Sequence, residues 1–113
     1  MEIAAQTEEA LRILSVMGTR IDAAAAIEFK NAVREQTDGI ENTVVLDLSR
    51  VEFIDSSGLG AIVATMKHIG QDRELALAGL TPAVQRVFQL TRMDSVFNVF
   101  PTLEGAVSAL KTN

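Results

Sequence analysis

Apolar positions follow two different periods along this chain, and the alternation between them predicts its elements. Thr43-Val44-Val45-Leu46-Asp47-Leu48 is the clearest strand: it is short, rich in branched residues, and apolar on both parities. Leu11 to Met17 also carries apolar residues on both parities, which predicts a strand partly covered on both faces. It follows the turn-like Thr7-Glu8-Glu9 and stops at Gly18. Glu2 to Gln6 predicts a short edge strand, and Glu74 to Ala78 and Val96 to Val99 predict two more strands.

Between these runs the spacing becomes helical. Asp22 stands before Ala23-Ala24-Ala25-Ala26 as an N-cap, and Ala26, Phe29 and Val33 form one apolar stripe that ends near Asp38-Gly39. Leu59, Ile62, Val63, Met66 and Ile69 form a second stripe, closed by Gly70. Thr81 as N-cap and Pro82 at the first helical position open a third helix with Val84, Val87, Phe88 and Thr91 inward. Thr102 caps a terminal helix with Leu103, Val107 and Leu110 inward. The order β-β-α-β-α-β-α-β-α predicts an α/β fold with a four- or five-stranded, mixed, mostly parallel sheet and about four helices. The pattern leaves open whether helices cover one face or both; Thr43 and Asp47, on one parity of their strand, point to an incompletely covered face.

Composition narrows the function. The 113 residues suit one domain spanning 1–113, of a size that buries roughly 65% of its unfolded surface. With no cysteine there are no disulfides, thiolate metal sites or thiol nucleophiles, and a single histidine forbids a histidine metal cluster; no metal or cofactor is expected. Met1 to Ala10 holds Glu2, Glu8 and Glu9 but no basic residue, so an export signal is not expected. No apolar run approaches the roughly 20 residues that span a bilayer, and a cytoplasmic location follows as the expectation. A net charge of −5, with no Trp or Tyr and five Phe, argues against a nucleic-acid partner.

Candidate chemistry concentrates in Asp55-Ser56-Ser57-Gly58-Leu59-Gly60, between Val51-Glu52-Phe53-Ile54 and the second helical stripe. The first amides of a helix lack internal partners and favour an anion, so a phosphate on this segment would be tolerated. Asp and Ser are also preferred N-caps, so residue chemistry leaves a plain helix start and a functional surface both open. Gly58-Leu59-Gly60 is not a dinucleotide fingerprint, because position 63 is Val, and no Gly-Lys-Ser/Thr phosphate loop occurs. His68 reads as a solvated helix residue, Met66 as core, and Asp22, Asp47 and Asp55 as caps and turn formers rather than a catalytic pair. Met93, in Thr91-Arg92-Met93-Asp94, is a candidate for a partner-facing rim. No convergent nucleophile, base and oxyanion donor can be named, so an enzyme is not expected.

Phe53-Ile54-Asp55-Ser56-Ser57-Gly58-Leu59-Gly60 resembles the signature of the STAS domain family of sulfate transporters and anti-sigma factor antagonists. Ile21-Asp22-Ala23, Val44-Val45-Leu46-Asp47-Leu48 and Thr81-Pro82-Ala83-Val84 fall where that family has similar features, so the resemblance spans nearly the whole chain. It implies a STAS-like single domain and a stand-alone anti-sigma factor antagonist. The unphosphorylated form would bind an anti-sigma factor that is also a serine kinase and release the sigma factor. Phosphorylation would switch binding off, and a protein phosphatase would reverse it. The implied acceptor is Ser56, with Asp22, Asp55, Ser57, Gly58, Leu59 and Gly60 supporting the site or touching the partner. The alternative is a non-catalytic scaffold, or a soluble subunit of a signalling or transporter complex. Gly18-Thr19-Arg20-Ile21-Asp22 has one residue more than the family pattern, so the turn there is expected to differ locally.

Overall fold

Strand β4 (Thr43–Asp47) runs through the middle of the molecule because its branched apolar side chains are buried on both faces. The computed structural model describes residues 1–71 and 73–111. Around β4 stand β1 (Ile3–Glu8), β2 (Leu11–Val16), β6 (Leu75–Ala78) and β7 (Val99–Phe100), in the order β1-β2-β4-β6-β7. The β1–β2 hairpin is antiparallel and every other pairing is parallel, in agreement with the mixed, mostly parallel sheet expected.

Helices cover both faces, unequally. Against one face pack α1 (Ala26–Thr37), α2 (Ser56–Ile69) and α3 (Pro82–Leu90). Phe29, Val33, Ile62, Met66, Val84 and Phe88 meet Leu14, Val16, Val44, Leu46 and Leu77 there. On the other face α4 (Leu103–Lys111) buries Ala106 among Leu11, Ile13, Val45 and Ala78. Thr43 and Asp47 lie on the α4 side of β4. Asp47 is buried and held in place, accepting from Ser15 Oγ at 3.3 Å and from the Ser49 amide at 3.0 Å.

The elements depart from expectation at four places. Residues 20–21 (β3, Arg20–Ile21) and 53–54 (β5, Phe53–Ile54) form a separate two-stranded parallel ladder. Two residues per strand are too few to leave a periodic signal. Asp22 does not cap α1: the helix starts at Ala26 after a tight turn in which Asp22 Oδ1 accepts from the Ala25 amide at 3.1 Å. The Thr81 hydroxyl does not cap α3 either; it donates to the Val51 carbonyl at 2.7 Å and ties the helix start to the segment before β5. The last strand is Val99–Phe100 rather than Val96–Val99, because a left-handed Arg92 (φ 62°) and a 3-10 turn at Met93–Ser95 take up the preceding chain.

Candidate functional site

The Asp55–Gly60 segment sits where β5 ends and α2 begins, so the motif hangs from the small ladder rather than from the main sheet. The Thr19 carbonyl accepts from the amides of Glu52 at 2.8 Å and Phe53 at 3.2 Å. The Arg20 guanidinium lies 4.2 Å from the centre of the Phe53 ring and reaches Asp22 Oδ2 at 3.3 Å. Residues 20–21 thus form an ordered strand that braces β5.

Asp55 is the N-cap of α2. Its backbone is extended (φ −105°, ψ −176°), and its Oδ1 accepts from the Gly58 amide at 2.8 Å. Its second oxygen, Oδ2, accepts from the Ala23 amide at 3.0 Å, linking the start of α2 to the turn before α1. The Gly58 amide chiefly, helped by those of Ala23 and Ser57, holds the carboxyl below its usual range against an opposing contribution from partial burial. Asp55 thus stays ionised and fully engaged.

Capping by Asp55 leaves the serines without that duty. Ser56 and Ser57 are both exposed on the first turn of α2, and no hydrogen bond engages the Ser56 hydroxyl among the described residues. Gly58 is buried because β3 passes directly beneath it: a Cβ there would lie 1.8 Å from the Ile21 carbonyl oxygen. Leu59 is half-buried against the main core, and Gly60 is exposed. Asp22, Asp55, Ser56 and Gly58 are brought together, Asp22 through its neighbour Ala23.

Sequence reasoning missed three contributors: Ala23, whose amide meets Asp55, and the stacked pair of Arg20 and Phe53. Ala23 and Phe53 stood within the segments that carry the family resemblance, but their contacts were not legible because the residues they meet stand more than 30 positions away. Around the site, Ile27 in the first turn of α1 is 70% exposed and Phe53 is 40% exposed. Met93 is half-buried against the main core, and Leu90 and Val96, near it in sequence, are exposed apolar residues. His68 is exposed, and Asp47 lies on the opposite side of β4 from the helices that carry the motif.

The site is thus an exposed serine on the first turn of a helix, beside the aspartate that caps it, on a small α/β module. The chain belongs to the STAS domain family, whose description matches residues 2–106. RsfB of Mycobacterium tuberculosis, an anti-sigma-F factor antagonist, is 31% identical over 99 residues, covering 88% of this chain and 80% of RsfB. BtrV of Bordetella bronchiseptica is 36% identical over 93 residues, covering 81% of this chain and 80% of BtrV. The crystal structure of an anti-sigma factor antagonist from Mycobacterium paratuberculosis superposes with a TM-score of 0.86 at 29% identity, covering 97% of this chain and 93% of that one. No helix among the described residues is long and apolar enough to cross a membrane.

Proposed function

We propose that this chain is an anti-sigma factor antagonist: its unmodified form binds an anti-sigma factor with serine kinase activity, and phosphorylation of Ser56 switches that binding off. One observation carries the reading. Asp55 takes the capping role at 2.8 Å, so the neighbouring exposed serine has no structural task of its own. The match to named antagonists along most of the chain supports the partner class.

The switch follows from charge and desolvation. Phosphate adds about −1.5 to −2 charge at pH 7, and the positive end of α2, on an exposed first turn where water solvates the charge, tolerates it. A partner packed over the first turn would have to strip water from that charge, at a cost of several kcal/mol unless cations match it. Binding is lost while the fold is kept. A protein phosphatase that removes the phosphate restores the binding form, and the cycle takes place in the cytoplasm, where sigma factors act.

The site assignment is tested by incubating the pure chain with the anti-sigma factor it captures, adding ATP, and mapping the modified residue by mass spectrometry. Ser56 in wild type, and no label in Ser56→Ala, is the expected result. Modification confined to residues outside 55–57 rejects the assignment.

A further inference from the structure

Among the described residues, no backbone conformation or close contact requires a glycine at position 60. Gly39 and Gly79 adopt positive φ of 76° and 70°, Gly58 lies against the Ile21 backbone, and a Cβ on Gly70 would come within 2.9 Å of Leu75. Gly60 lies inside α2 without a positive φ, it is exposed, and a Cβ there would meet nothing within 4 Å. A glycine at such a position only weakens the helix relative to alanine.

Its place relative to Ser56 supplies a reason. Residues four apart share a helix face and are about 6 Å apart along the axis. Helical side chains tilt toward the N-terminus and cover the preceding turn. A side chain at position 60 would therefore lean over the turn that carries the Ser56 hydroxyl.

We propose that Gly60 is the access-determining residue for phosphoryl transfer to Ser56, its missing side chain leaving the lane through which the kinase brings its bound ATP to the hydroxyl. In that step Ser56 Oγ attacks the γ-phosphorus. The new O–P bond forms as the bond to ADP breaks, the hydroxyl proton passes to a base on the kinase, and ADP leaves. The attacking and leaving oxygens must be roughly in line, so obstruction of one approach is costly. The inference rests on the phosphorylation reading given above.

The test compares wild type, Gly60→Ala, Gly60→Leu and Ala64→Leu, incubated with the anti-sigma factor captured on the wild-type chain and radiolabelled ATP. Ala64 is exposed on the same face one turn further from Ser56, so leucine there controls for added bulk. The expected result is slower labelling of Gly60→Ala, and a loss on the order of 100-fold for Gly60→Leu, comparable to other losses from misplaced reactants. Ala64→Leu should be labelled like wild type, and Tm should rise by about 2–5 °C in both Gly60 variants. Labelling of folded Gly60→Leu at the wild-type rate overturns the inference and leaves the phosphorylation reading standing. A fall in Tm of both Gly60 variants also overturns it, since the glycine would then be structural. Equal slowing of Ala64→Leu does the same. Wild type that takes no label on Ser56 removes the phosphorylation reading, and the inference with it.

Discussion

Asp55 performs two tasks with one carboxylate, and a pH titration separates it from the other acids. Oδ1 caps α2 through the Gly58 amide and Oδ2 holds the Ala23 amide, so ionisation is favoured in the folded state. Because its folded pKa lies below the ordinary value of 3.8, its stabilising contribution is complete above that pH and is lost as pH falls through the lower folded value. Asp55→Ala should therefore melt below wild type at pH 7, with the gap narrowing progressively below pH 3.8. Thermal unfolding of both proteins from pH 7 to pH 2 checks this, and a gap independent of pH would contradict it. The motif residues themselves were legible in the sequence, because an aspartate, serines and glycines placed directly before the apolar stripe from Leu59 to Ile69 mark a helix start. Which of Asp55 and Ser56 is the cap was not legible, since both are good caps and only the extended backbone at Asp55 decides between them.

At the scale of elements, the close approach of β3 to the start of α2 sets the site's geometry. The Ile21 carbonyl occupies the space a Cβ on Gly58 would need, at 1.8 Å. Gly58→Ala must push α2 away from the ladder or open the Asp55 cap, and should cost about 3 kcal/mol, as severe overpacking does. The urea unfolding midpoint measures this; a loss within about 0.5 kcal/mol, the range of an ordinary surface substitution, would contradict it. The contact also shows why legibility was uneven. The stripe from Leu59 to Ile69 predicts α2 well because five apolar residues share one face, with Ile62, Met66 and Ile69 buried in the main core and Leu59 and Val63 packed against it. The β3–β5 ladder was invisible, since its residues are paired by tertiary contact over a separation of 33 positions rather than by local pattern. The alanine run after Asp22 misled for a related reason: alanine suits a tight turn and a helix alike, so nothing local marked Ala25 as the boundary.

At the scale of the molecule, the sheet divides structural and regulatory duties. Three helices seal the larger core on one face, while α4 alone closes the other, held at its end by Lys111 Nζ donating to Glu8 Oε1 at 2.7 Å. The mixed sheet was legible because βα alternation admits few topologies, and coverage of both faces was not, because strands apolar on both parities fit either case. The exposed first turn of α2 is braced by the small ladder and by the turn before α1, so a phosphate can be added there without repacking either core. The central claim is that Ser56 is a binding switch on an unchanged fold. It is tested most directly by calorimetric titration of the anti-sigma factor with the unmodified chain and with the chain phosphorylated on Ser56. The account predicts that phosphorylation weakens binding by at least about 30-fold, as expected for a desolvated unpaired charge, with an unchanged far-ultraviolet dichroism spectrum. Equal affinity of the two forms would contradict it.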